Sequence, residues 1–359
     1  MNATTNPIAT PEGLERFLSL HQEAVEAVVG RFDQNTTASY GMFGVRGRAA
    51  CREDVGYQLE FLRPAVEFGT RRPILEYVRW VTAILGSRGI PSQDLTLSLS
   101  CLMEFFASRL DDDDARPIVA ALNAAITSLR DPSAEASPCV PLMPEACEEC
   151  DAFGAALICG DQRTSVGIFR EVAQEGRSFL DAELHLVQPA LYGIGKGWQD
   201  NRISIAQEHL ATAMVHGLLA REFAQASSLP SNGRSALLAA VEGNEHIIGL
   251  RMVADAFELS GWDVHYLGAN MPTTSLVKMV RDVRPDVVGL SVAMPHHLRP
   301  AREAIAGLHS SLGEACPALL LGGLTINHFA PMKKVLGADG TGSDARSAVE
   351  AAELLVASP

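Results

Sequence analysis

The chain has 359 residues, 47% of them hydrophobic, and a formal net charge of −14 from 29 Lys+Arg against 43 Asp+Glu. That length supports about two or three domains with real cores, and the acidic balance argues against nucleic acid as a direct partner, since phosphates need a basic footprint. No stretch is long and apolar enough to span a bilayer and the N-terminus lacks a signal-peptide pattern, so a cytoplasmic protein without membrane contact is expected.

Residues 1–10 read as disordered. From Pro11 onward Leu14, Phe17, Leu18, His21, Val25 and Val28 keep a helical period. A polar break over 34–47 precedes amphipathic segments at 52–68, 73–87, 93–109 and 115–129. Gly69, Gly89-Ile90-Pro91 and the acidic run Asp111–Asp114 punctuate them. Carboxylates at a helix start are stabilised by its dipole, so the run reads as a helix cap rather than a metal site. The expectation for 11–130 is an all-α domain of about five or six helices, for which globin-like crossings are one arrangement. Arg46, Arg48, Arg52, Arg63, Arg71, Arg72 and Arg79 lie among Tyr57, Tyr77 and Trp80. Such arginines beside aromatic rings could grip the propionates of a flat tetrapyrrole; ordinary surface arginines are the plainer reading.

Residues 131–152 read as a linker, proline-rich from Asp131 to Pro144. Cys147-x-x-Cys150 has redox or metal half-site spacing. No second Cys-x-x-Cys or His pair completes it, and the seven cysteines are an odd number. Incidental reduced thiols in a linker are therefore the favoured reading.

Residues 153–230 form a second helical block. Ser204-x-x-Gln207 is a capping box, which sets Ile205, Glu208 and His209 in the first turns of a helix. Trp198 closes the helix before it.

From 231 to 359 the pattern alternates. Strands are expected at Ala236–Val241, Asp263–Leu267, Val287–Val292, Ala318–Leu321 and Ala338-Asp339. Helices are expected near 246–260, 274–283, 298–311, 327–336 and 344–356. Five strands with crossover helices make a flavodoxin-like doubly wound parallel sheet, whose ligands bind at the carboxyl strand ends. Gly268, Ser291, Val292, Gly322 and Gly323 fall at such ends, and Asn244-Glu245-His246 and Gly249 follow the first strand. The fold class is thus a multidomain α and α/β protein: an N-terminal all-α domain, a four-helix-type cap and the parallel sheet.

Asn244-x-His246-x-x-Gly249 resembles the Asp-x-His-x-x-Gly loop of cobalamin-binding domains. The resemblance implies that His246 is the lower axial ligand of cobalt, that Gly249 leaves room for the displaced nucleotide tail, and that Gly268, Ser291, Val292, Gly322 and Gly323 line its course. Asn244 stands where the family usually has a carboxylate, so an amide oxygen would receive the imidazole N–H and leave the ligand less basic.

Trp198, nine residues and then Glu208-His209 is similar to the cap motif of CarH-type adenosylcobalamin photoreceptors. By that resemblance Trp198, Ile205, Glu208 and His209 cover the adenosyl group. Gln199 stands where many of those sensors have a second histidine; His209, His216 or water would then complete the lit state. The order of helical domain, cap and cobalamin domain resembles the photocobilins, which use adenosylcobalamin and biliverdin together. That implies a bilin in 11–130 near Arg46, Arg48, Tyr77 and Arg79, a homo-oligomer with a light-dependent state, and a downstream effector protein. No catalytic constellation is legible, so a regulatory protein is expected rather than an enzyme. A corrinoid methyl carrier and a cofactor-free signalling module are the alternatives.

Overall fold

The computed structural model describes residues 9–34, 44–89, 91–130, 147–174, 178–328 and 332–357. The expected disorder over 1–8 and most of the expected linker, 131–146, lie outside them. By contacts the chain falls into two units, Met1–Cys139 with Gln199–Asn201, and Val140–Trp198 with Arg202–Pro359.

In the first unit six helices follow one another: α1 (Pro11–Ser19), α2 (His21–Gln34), α3 (Gly44–Glu67), α4 (Arg72–Ser87), α5 (Ser92–Arg109) and α6 (Asp112–Arg130). The continuous period from Leu14 to Val28 is split at Leu20 into α1 and α2. Thr10 caps α1 by accepting from the Gly13 N–H at 3.0 Å, and its own N–H donates to the Asp114 carboxylate at 3.0 Å. The last aspartate of the acidic run is therefore buried as a clamp between α1 and α6, while Asp112 and Asp113 keep the exposed helix-start role. Val28, Leu62, Ile74, Leu99, Phe106 and Leu122 fill the core.

The second unit opens with cap helices α7 (Glu148–Cys159), α8 (Gln162–Gln174) and α9 (Phe179–Ala182). A π-helical turn, Glu183–Val187, runs on into α10 (Gln188–Gln199), and α11 (Ile205–Phe223) completes the cap. The capping box at α11 is formed in both directions: Gln207 N–H donates to Ser204 Oγ, and Ser204 N–H to Gln207 Oε1.

Strands and helices then alternate: β1 (Ser235–Val241), α12 (Ile248–Leu259), β2 (Asp263–Met271), α13 (Thr273–Val283), β3 (Val287–Ser291), α14 (Leu298–Leu312), β4 (Ala318–Gly322), α15 (Leu324–His328), α16 (Met332–Leu336), β5 (Gly340–Thr341) and α17 (Ala345–Ala357). The five strands are parallel in the order β2-β1-β3-β4-β5. β1 is an interior strand, and Ala236 to Val241 are buried on both faces, as a continuous apolar run in a doubly wound sheet requires. Each buried leucine there contributes on the order of 1.5–3 kcal/mol. The last strand lies two residues beyond the expected Ala338-Asp339, because Asp339 instead bonds Leu319 through backbone and carboxylate. The helix expected over 327–336 falls on α15 and α16, and residues 329–331 between them lie outside the described residues.

Candidate functional site

Register aligns Ala240, Ser291 and Gly322 across the three central strands. Above that level the chain leaves β1 through the loop 242–247. Its fixed point is Asn244, which is fully buried. The Asn244 amide donates to the Ser291 carbonyl at 2.9 Å, its Oδ1 accepts the His246 backbone N–H at 3.0 Å, and its carbonyl accepts the Asn270 N–H. The Asn244 side chain thus braces the loop, and its oxygen, which has two lone pairs, keeps acceptor capacity beside this bond.

With the loop pinned beneath, Glu245 and His246 are exposed. Space is also open at Gly249, where an added Cβ would meet nothing within 4 Å. Gly323 is the opposite case. Its φ is +100°, and a Cβ would lie 2.6 Å from the Val292 carbonyl oxygen, so the close approach of β3 and β4 ends demands glycine. Gly268 (φ +74°) sits at a bulge where β2 slips against β1. Ser291 and Val292 are buried, with the Val292 N–H donating to the Gly322 carbonyl at 2.9 Å.

His297 belongs to this floor and was not singled out from sequence. Its Nδ1 accepts the Met294 N–H at 3.2 Å, so its Nε2–H is the donor to the Gly243 carbonyl at 3.1 Å. Burial, then the neighbouring His296 and His246 rings, push its pKa down to about 3, against the Gly243 carbonyl contact. It is a neutral strut under the His246 loop. Pro295-His296-His297 following β3 was the signal available.

In the cap, Glu208 and His209 meet at 2.6 Å, and the Thr212 hydroxyl donates to the other Glu208 oxygen at 3.1 Å. Glu208 is thereby oriented while His209 stays exposed. Trp198 is half-buried at the end of α10. Ile205 is 59% exposed, an apolar side chain with no protein cover at the start of α11.

The cap meets the sheet domain across a seam of buried charge. Glu183, in the π-helical turn, is fully buried, as is Asp255 of α12, which is ion-paired with Arg251. Burial, then Asp255, push the Glu183 carboxyl well above the usual range, with Arg251 opposing. Burial also raises Asp255, while Arg251 and then Glu183 hold it down. An exposed pair, Arg346 to Asp181 at 2.5 Å, bridges the same two layers.

In the first unit, Tyr77 is buried against Phe61 (ring centroids 4.5 Å apart) and Arg48 is paired with Asp33 at 2.9 Å; Arg79 is half-buried, and the Arg46 side chain lies outside the described residues. Tyr77, Phe32, Cys51 and Ser98 line a cavity of about 20 Å³, the size of a water site and far too small for a tetrapyrrole as it stands.

Cys147 and Cys150 correct an expectation. They are disulfide-bonded at the start of α7, not reduced thiols in a linker, because the helix begins at Glu148 and brings their Cα atoms to 5.1 Å. Among the described residues no group of three or more His, Cys, Asp or Glu could hold a metal, and no helix is long and apolar enough to cross a membrane.

The donor set fits a corrin: a braced, exposed imidazole, open space at Gly249 and small residues at the strand ends. Residues 234–350 match the model described as the B12 binding domain, and residues 150–221 match a second B12 binding domain model. Over 157 residues the chain is 35% identical to the HTH-type transcriptional repressor CarA of Myxococcus xanthus, covering 43% of this chain and 51% of that protein. It is 28% identical over 156 residues to the HTH-type transcriptional repressor CarH of the same organism (44% and 52%). It is 30% identical over 117 residues to dimethylamine corrinoid protein 1 of Methanosarcina acetivorans (33% and 54%). The chain spans about half the length of these curated relatives. It therefore carries B12 binding domains over residues 150–221 and 234–350.

Proposed function

We propose that the chain is a light sensor built on adenosylcobalamin, with biliverdin as a second chromophore in residues 11–130. The observation that carries the reading is a B12 binding unit whose cap leaves Ile205 and His209 uncovered beside an oriented Glu208. An apolar and polar pair of this kind suits an adenosyl group.

Adenosylcobalamin, when bound, supplies a cobalt–carbon bond that visible light breaks. His246 would hold the cobalt, and its loop is kept in place by Asn244 and His297. Gly249 admits the displaced nucleotide tail, and Gly268, Ser291, Val292, Gly322 and Gly323 give it close backbone approach. Trp198, Ile205, Glu208 and His209 would pack against the adenosyl group. Without a partner on those side chains the cap would be free to shift against the sheet domain, a switch between two packings that would change the homo-oligomer and reach an effector protein. Biliverdin would require the helices around Tyr77 and Arg79 to part. The net charge of −14 disfavours direct contact with nucleic acid by these residues, although two relatives are named HTH-type repressors.

The test is an absorption spectrum of the protein loaded with adenosylcobalamin and biliverdin, in darkness and after green light. A bound cobalamin spectrum that converts, together with a separate red band, is expected. Cobalamin without a red band removes biliverdin from the reading, and no retained cobalamin overturns the role of His246. Identity to dimethylamine corrinoid protein 1 favours a second reading, a methyl carrier for a separate methyltransferase. That role needs an open upper face, which a Trp198 lid opposes. Methyl transfer onto the bound cobalamin by a corrinoid methyltransferase would decide for it.

A further inference from the structure

Cys147 and Cys150 take no part in the cobalamin reading, and their setting is that of reacting sulfurs rather than a structural staple. The bond joins residues three apart, so it closes a very short loop and constrains the unfolded chain little. Cys147 is the N-cap of α7, the position where Ser, Thr, Asp or Asn normally supplies an oxygen; here the Cys150 N–H donates to the Cys147 sulfur at 3.1 Å. A thiolate is a far better acceptor at that place than a thiol, and the helix dipole favours the anion, so Cys147 is suited to be the nucleophile. Glu148, Glu149 and Asp151 in the same turn oppose it, but all three are exposed and screened by solvent.

The two sulfurs differ in access. Cys147 is half-buried; Cys150 is buried in the cap core. Its sulfur lies 3.3 Å from the His185 carbonyl in the π-helical turn. In the disulfide that sulfur has no hydrogen to give. After reduction, the Cys150 S–H can donate to this carbonyl, which favours the dithiol and ties the redox state to the turn that carries Glu183.

We propose that Cys147–Cys150 is a reversible thiol–disulfide exchange site on the cap, with small thiols or dithiols as co-reactants. An external thiolate attacks Cys147, forming a mixed disulfide and releasing Cys150 as a thiolate, which takes up a proton. A second external thiol displaces Cys147, which takes up the second proton. The protein disulfide gains two electrons and two protons while two thiols become one disulfide.

The full chain is equilibrated across ratios of reduced to oxidised glutathione, and of dithiothreitol to its oxidised form. Each sample is acid-quenched and alkylated, and each cysteine-containing peptide is weighed. One two-electron transition is expected, with Cys147 and Cys150 moving together while native. In Cys150→Ser a glutathione adduct should form on Cys147 at least tenfold faster than on Cys150 in Cys147→Ser; serine is a good N-cap and keeps α7 intact. The proposal is overturned if the pair stays reduced at every ratio. Resistance to excess dithiothreitol until the chain unfolds, or adducts forming equally fast on both sulfurs, would overturn it too.

Discussion

At the scale of single residues, the site depends on positions where one atom more would not fit and one where nothing stands in the way. Gly323 is the tightest. Alanine there would combine a φ of +100° with a clash into the Val292 backbone, and Gly323→Ala should cost roughly 2–4 kcal/mol, read as a lower urea midpoint at unchanged m-value. Alanine at Gly249 should leave the midpoint within about 0.5 kcal/mol, since its Cβ enters open space and its cost falls on ligand binding alone. In the proposed reading Trp198 separates binding from selectivity. Trp198→Ala should still retain cobalamin through His246 but lose its preference for the adenosyl over the methyl form. Equal preference in parent and variant, measured by retained absorbance after gel filtration, would sink the assignment of the upper face.

Among the elements, the seam between the π-helical turn and α12 sets how the cap holds to the sheet domain. Glu183 and Asp255 are two buried carboxyls facing one arginine. Neither Glu183 oxygen has a donor while both carboxyls are ionised; their contact becomes a hydrogen bond only when one carries the proton. Glu183 is the one pushed up, by burial first and Asp255 second. Its folded pKa lies above its unfolded value near 4.5, so its favourable share of stability is complete below that value and is lost as pH rises toward the folded one. Glu183→Gln, which keeps shape and neutrality, should therefore melt higher than the parent at pH 8, with the gap closing toward pH 5. Nearby Glu258 and Tyr266 are also raised by burial, and His216 is lowered; they are common to both proteins and cancel in the comparison. A gap that does not vary with pH would place the proton elsewhere. The Arg346–Asp181 pair is different: half-exposed, it contributes no more than about 1 kcal/mol.

For the whole molecule, the expected readout of light is a change in assembly. Protein loaded with adenosylcobalamin in darkness and then exposed to green light should change its mass by light scattering, while protein loaded with methylcobalamin in place of the adenosyl form should not follow it. An unchanged mass would confine the switch to the cap. The alternation of apolar runs and helical periods from Ser235 onward was enough to determine a parallel sheet, because β1 is buried on both faces and each crossover has its own amphipathic helix. The same holds for the α11 capping box, a local hydrogen-bond pattern set by Ser204 and Gln207 alone. Apart from its bond to the His246 N–H two residues on, what Asn244 does could not be read locally. Its other partners, Ser291 and Asn270, lie 47 and 26 residues away, and only strand register brings them to it. His297 under Gly243 and Glu183 against Asp255 likewise depend on neighbours set by packing. The disulfide turned on where α7 begins: the proline-rich composition pointed to a linker, but the helix starts at Glu148 and places both sulfurs on its first turn. Period and capping act over a few residues, so sequence determined them; the brace, the strut and the buried carboxyl pair arise between distant segments, and only the tertiary structure decided those.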